Sequence, residues 1–439
     1  MTGCEMNILY RLSRSVKVWF NYRLDRIIDV SELFLGDAYR FPWPSAQGTA
    51  KRVARFIGDI AWLLRDFPRL SATRVVRTDW TIVFVGGDIG LREICHLLLE
   101  DNVERQELGR IPLWKLSERT QQWLAQGVDL VVCELSRIHP RPLSGTLAFA
   151  VPTLTQQALT IPEPLESLIS GKKFATERHR LNKARRAGFS YRFSRSKADF
   201  DHFYYRMHLP YVKARHGRLA LVSRYEDQWK RWFVRGGVVL VTQQDEPVAG
   251  VLCYVANDTC FDIARGVLDA DPQLLKQGIE TMITWYAMNW ARDQGAKIYD
   301  MGALPYSYRA DGAFNSKRRW GAQVVRPRGI YGVWTFLAQD LSASLRDHLN
   351  RVGFISEIEG KFYGVLLSSD ADSMAKNDLG PELRAVENLG LDGLVEISAN
   401  TEPKTHSLTT WSAGVREKTQ EIRDLDCNGH LSKGYHHWC

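Results

Sequence analysis

From Trp80 onward, short apolar runs alternate with stretches in which apolar residues recur every third or fourth position. Thr81–Val85, Val128–Cys133 and Thr146–Val151 read as strands, with a helix over Leu91–Glu100. Further on, a strand at Tyr191–Phe193 precedes helices at about Lys197–Met207 and Arg224–Phe233. Gly237–Thr242 and Val248–Val255 flank the turn Gln244-Asp245-Glu246-Pro247 as a hairpin, and Thr259–Gly266 adds a third strand. The clearest helical stripe lies in Pro272–Asp293, where Leu275, Ile279, Met282, Ile283, Tyr286 and Trp290 share one face. Gly295 closes that helix, and Lys297–Met301 follows as a buried strand. Gly332–Phe336, Leu341–Leu349 and Phe362–Leu367 then read as strand, helix and strand.

The flanks differ from this alternation. Residues 1–75 read as a helical N-terminal appendage, broken at Phe41-Pro42-Trp43-Pro44 and resumed where Val53, Ile57, Ile60, Ala61 and Leu64 recur at helical spacing. Beyond Ser369 the apolar periodicity fades, and residues 369–439 read as a polar, largely disordered tail. Between the flanks the chain divides into α/β segments at 76–165 and 166–368, an alternation that indicates an α/β layer without giving its strand order.

At 439 residues the chain has ample material for two domains, or three if one is small. A net charge of +8 favours anionic partners such as nucleotides, phosphorylated glycans, RNA or an acidic membrane surface. Seven cysteines without regular spacing make no disulfide framework, which points to a reducing cytoplasm. No window reaches the ~18 apolar residues that span a bilayer. Arg11, Arg14, Lys17 and Arg23, beside Val16, Trp19, Phe20 and Leu24, fit a packed surface helix or a peripheral membrane anchor. Cys427, His430, His436, His437 and Cys439 match no structural zinc spacing, and no metal site is expected. The chain lacks a Gly-x-Ser-x-Gly elbow, a P-loop and a dinucleotide fingerprint, which argues against those hydrolase, nucleotidase and dehydrogenase families.

Three motifs carry chemistry. A basic helix, Phe174–Ala187, holds Arg178, Arg180, Lys183, Arg185 and Arg186 and is stopped by Gly188. A buried strand ends in Tyr299-Asp300-Met301-Gly302, and Phe314-Asn-Ser-Lys-Arg-Arg-Trp-Gly321 follows. Their order resembles the GNAT acyltransferase fold, and in detail its Fem-like branch, most closely over Leu165–Trp334. The resemblance implies two tandem GNAT-like units, the first a degenerate copy. It implies an N-acyltransferase that moves an acetyl or aminoacyl group from an acyl-CoA or an aminoacyl-tRNA onto an amine of a small-molecule, peptide or glycan-linked acceptor. No permanently bound cofactor is implied. Where coenzyme A-binding members carry a glycine-rich loop, this chain has Asp271-Pro-Gln-Leu-Leu-Lys-Gln-Gly-Ile279, with Gln277 and Gly278 as a remnant, so both donors stay open.

Acyl transfer needs a cleft at a strand edge and donors for the oxygen that becomes negative. The resemblance places that cleft where Thr259–Gly266 parts from Lys297–Met301, near Ala264 and Tyr299, with Gln277 and Gly278 beside the donor. Asp300, at a strand end where α/β proteins tend to place ligands, is the candidate catalytic carboxylate, or else a turn cap. Lys317 matches the family's lysine, and Arg318 extends its positive patch. Arg178, Lys183, Arg186, Tyr205 and Tyr211 are the candidate acceptor-binding set, with a plain solvated basic face as the alternative. A catalytically silent module that binds a phosphorylated or nucleic-acid ligand is the competing reading.

Overall fold

The computed structural model describes residues 69–77, 79–99, 103–136, 147–217, 222–305, 308–327, 332–369, 386, 390–398 and 404–407. The amphipathic N-terminal segment and the C-terminal cysteine–histidine cluster lie outside them.

The first half runs β1 (Arg69–Val76), β2 (Thr81–Val85), α1 (Asp88–Ile94), β3 (Glu104–Pro112), α2 (Leu116–Ala125), β4 (Leu130–Ser136), β5 (Leu147–Pro152) and β6 (Leu154–Thr160). Then come α3 (Ala175–Arg186), β7 (Phe189–Ser194), α4 (Lys197–His202), α5 (Leu209–His216), β8 (Gly237–Gln243), β9 (Glu246–Ala256) and β10 (Thr259–Val267). The chain continues with α6 (Pro272–Gln277), α7 (Ile279–Asp293), β11 (Ile298–Pro305), α8 (Gly312–Arg318), β12 (Gln323–Val325) and β13 (Gly332–Ala338). It closes with α9 (Ala343–Val352), β14 (Ile355–Ile358), β15 (Lys361–Leu367), β16 (Gly393–Ile397) and β17 (Lys404–Ser407).

These strands form three sheets, ordered β3-β1-β2-β4-β13-β5, β12-β6-β11-β10-β9-β8-β7 and β14-β15-β16-β17. The first two share a core pattern. In each, an antiparallel pair (β1–β2, β9–β10) is followed by a parallel neighbour (β4, β11) and then an antiparallel strand (β13, β6). The two halves exchange that last strand: β6, from the end of the first half, joins the second sheet, and β13 returns to the first. The tandem α/β architecture is therefore an interlocked pair.

Local sequence explains the elements that frame the second sheet. Gln244 and Asp245 adopt φ of 53° and 67° between β8 and β9, the positive values that a tight hairpin turn needs. β8 is buried along nearly its whole length, as its run of Val, Leu and Thr suggests for a central strand covered on both faces. One face packs Val239, Val241, Val251 and Cys253 against α7 residues Ile279, Met282, Ile283 and Trp290, and the other packs Val238, Leu240 and Leu252 against Phe200, Phe203 and Phe233.

Three expectations need correction. The helical stripe over Pro272–Asp293 is two helices, because Gly278 takes φ +89° and breaks the ladder between α6 and α7. The segment read as the end of a helical appendage contributes β1, which pairs with both β2 and β3. Part of the polar tail is folded, since β16 lies parallel to β15 and pairs with β17. Val386, Leu391 and Leu394 close a core with Phe314, Ile355 and Phe362. Leu394 is fully buried there, so Leu394→Ala is expected to cost about 2–4 kcal/mol in urea denaturation. An unchanged midpoint would show that this strand adds nothing to the fold.

Candidate active site

The site begins with a register fault. β10 and β11 run parallel over only Thr259↔Ile298, Cys260↔Tyr299 and Phe261↔Asp300, and no pairing follows. Two irregularities coincide with the parting. β10 shifts its register against β9 between Asp262 and Ala264, and β11 shifts against β6 between Asp300 and Ala303. Such bulges bend a strand and raise its local twist. Gly302 is required at this point, with φ +79°, and a Cβ on it would stand 2.9 Å from the Asp262 carbonyl oxygen.

The parted strands open into a cleft of about 850 Å³. Asp262–Arg265 and Met301–Leu304 line its two strand edges, α3 and the start of α7 one wall, and α5 and α8 the others.

Beneath the cleft, a buried polar cluster gathers around Asp262. Arg265 Nε donates to Asp262 Oδ2 at 2.7 Å, and the Tyr299 hydroxyl donates to the same oxygen at 2.8 Å. Arg265 also donates to Thr284 Oγ1 of α7 at 2.8 Å. In a regular strand, residues three apart point to opposite faces; the bulge at Ile263 lets Asp262 and Arg265 meet. Burial works against the charge on Arg265, but Asp262 outweighs it and the guanidinium is held more firmly protonated than usual.

Gly302 is gripped at both ends. Its N–H donates to Asp300 Oδ1 at 2.9 Å, and its carbonyl accepts from Lys317 Nζ at 2.8 Å. Burial lowers Lys317 from its ordinary 10.5 to about 8, helped by Arg265 and opposed by Asp262, Asp300 and Asp311. At the cleft mouth, Glu280 in the first turn of α7 accepts from both Tyr211 and Arg215, tying α5 to α7. Burial, then the Glu280 carboxylate, raises the Tyr211 phenol above its usual range. His208 donates from Nδ1 to the Arg265 carbonyl at 2.8 Å, leaving Nε2 to accept from Gln228, and burial lowers its proton affinity.

Of the residues expected from sequence, Lys183, Tyr211, Ala264, Gly278 and Lys317 line this cleft together. Asp300 does not: it is 1% exposed and accepts from Gln156 as well as from Gly302. Tyr299 is fully buried below the floor. Arg178 caps the preceding turn, donating to the carbonyls of Ile169, Ser170 and Gly171. Gln277, Arg186 and Arg318 are not among the lining residues, and neither is Tyr205, which stacks on Tyr225 with ring centroids 5.5 Å apart. Asp262, Arg265, Glu280 and Lys276 escaped the sequence reading. The available signal was a charged pair, Asp262 and Arg265, inside an otherwise apolar strand.

Residues 171–310 match the family model described as an acetyltransferase (GNAT) domain. The matched span holds β10, β11 and every helix of the cleft except α8. Among solved structures, the L-PGS of Bacillus licheniformis is similar over 67% of this chain and 91% of its own, at 12% identity and a TM-score of 0.29. FemX is similar over 64% and 91%, at 11% identity and a TM-score of 0.32. A GCN5-related N-acetyltransferase from Kribbella flavida covers 67% and 97%, at 16% identity and a TM-score of 0.26. No curated protein matches the sequence. Among the described residues, no helix is long and apolar enough to cross a membrane.

Proposed function

We propose that this protein is an N-acyltransferase of the Fem-like branch, moving an acetyl or aminoacyl group from a thioester or tRNA-ester donor to the amine of a small-molecule, peptide or glycan-linked acceptor. The parting of β10 from β11 beside Lys317 carries this reading. A donor carbonyl seated between the strands lies beside the Lys317 ammonium, which can turn from the Gly302 carbonyl to the oxygen that becomes negative as the amine attacks. Asp300 then acts through Gly302, whose N–H it holds, and not on the substrate. A cytoplasmic setting suits either donor.

The residues fit coenzyme A's pyrophosphate poorly at the start of α7. Glu280, paired with Arg215, already places a carboxylate in the first turn, so the favourable field of the helix start is taken up before a second anion arrives. Lys183 and Lys276 lie on that side of the cleft and form no ion pair among the described residues, so they offer an alternative hold for donor or acceptor phosphates. These same lysines favour the second reading, a silent module that grips a phosphorylated or nucleic-acid ligand. Its binding would weaken steeply with added salt if the ligand were RNA.

Purified protein given acyl-CoA or charged tRNA, with amino-sugar or peptide acceptors, is expected to consume one donor class and release free thiol or uncharged tRNA. Binding with no turnover across all donor and acceptor pairs would favour the silent module.

A further inference from the structure

Lys317 sits where an electrophile is expected, and it is itself a nucleophile. It is one of three lysines lining the cleft that make no ion pair among the described residues. The other two, Lys183 and Lys276, lie on the α3 and α6 side, where Lys183 Nζ donates to the Lys276 carbonyl at 3.1 Å. Lys317 alone of the three is bound at the parting strands, through Gly302.

We propose that Lys317 is a site of self-acylation by the donor. The inference rests on the reading that an acyl carbonyl enters between β10 and β11. The uncharged Nζ attacks the carbonyl carbon of an acyl thioester, the C–S bond breaks, and the thiolate leaves. One Nζ proton passes to that thiolate through solvent, so amine plus thioester becomes amide plus thiol. The amide nitrogen carries no positive charge, so the mark removes the cation that the transfer reaction uses and switches the enzyme off.

The surroundings set when this happens. Burial lowers Lys317 to about 8, with Arg265 of β10 acting in the same direction and Asp262 of β10, Asp300 of β11 and Asp311 at the start of α8 acting against it. Relative to an ordinary lysine, the uncharged fraction at neutral pH is about 300-fold larger, from 10.5 against about 8. Its lower basicity makes each uncharged amine less nucleophilic, so the gain in rate is smaller than the gain in fraction.

The full chain is incubated with S-acetyl-N-acetylcysteamine, which lacks a pyrophosphate, at pH 6, 7, 8 and 9, and acetylation is followed by peptide mass spectrometry. Lys317 is expected to acquire the acetyl group at least tenfold faster than Lys183 and Lys276, with a rate that levels off above about pH 8. Asp262→Asn removes a carboxylate that favours the charged form, so labelling at pH 7 is expected to speed up. Lys317→Arg is expected to abolish that one mark. Labelling of Lys317 no faster than its two neighbours in the cleft would overturn the inference. Thiol release with an added amine is measured in the same samples: turnover with Lys317 unmarked sinks only the self-acylation, whereas no turnover and no mark sinks the self-acylation together with the thioester donor and leaves the tRNA-ester donor to the charged-tRNA assay.

Discussion

Replacing Lys317 by methionine is expected to lower acyl transfer by about 100- to 1,000-fold, the effect of removing one preorganised donor to a developing oxyanion. Methionine fills a similar volume without placing a charge in a partly desolvated wall, so the melting temperature should not fall. The loss should therefore appear in kcat with the fold intact. The pH dependence has a definite sign. Lys317 must be an ammonium to donate, and burial has lowered it to about 8, so activity is expected to decline as the pH rises through that value. Asp262→Asn lowers Lys317 further and should move the decline to lower pH. A rate that climbs through pH 8 instead would assign Lys317 as a proton acceptor.

Asp262→Ala is expected to be among the most destabilising single changes in the second sheet. Asp262 is 5% exposed and is the acceptor for Arg265 and for the fully buried Tyr299. Removing it leaves a guanidinium and a phenol without their partner, a cost of about 3–5 kcal/mol for a broken buried pair. Asp262→Asn keeps an oxygen for Tyr299 and should cost less. Thermal and urea denaturation of both variants check this ordering. Equal stability of Asp262→Ala and wild type would mean that the cluster does not hold the strands in place.

Strands and helices of the second half were legible because their periodicities are strong: the hairpin β8–β9, the strand β10 and the apolar stripe of α7 are all present where the pattern put them. What periodicity does not carry is partnership. An apolar run such as Gly332–Ala338 says that a strand forms, and says nothing of its neighbours, so the return of β13 between β4 and β5 of the first sheet was invisible. Gly278 was read as a remnant of a binding loop inside one helix, whereas its positive φ ends one helix and begins another. The apolar Gly393–Ile397 was lost in a polar tail because a single short run cannot show that a sheet edge awaits it.

The candidate site was legible to a similar degree. Lys317 and Gly302 were recognisable from the motif order, and the cleft brings Lys317, Ala264, Gly278, Lys183 and Tyr211 together. Asp300 drew attention as a carboxylate at a strand end, but strand position alone does not tell a cleft-facing side chain from a buried one. Nothing in the sequence pairs Asp262 with Arg265, because a regular strand sends residues three apart to opposite faces. Only the bulge at Ile263, a backbone feature with no sequence signature of its own, puts them together.

An acyl donor is expected to lie in the gap between β10 and β11. A crystal structure with a non-hydrolysable ketone analogue of an acetyl thioester tests it directly. The ketone oxygen is expected within hydrogen-bond reach of Lys317 Nζ, with the analogue's chain running between Asp262–Arg265 and Met301–Leu304. An analogue bound elsewhere, or β10 and β11 paired without a break past Phe261 and Asp300, would contradict it.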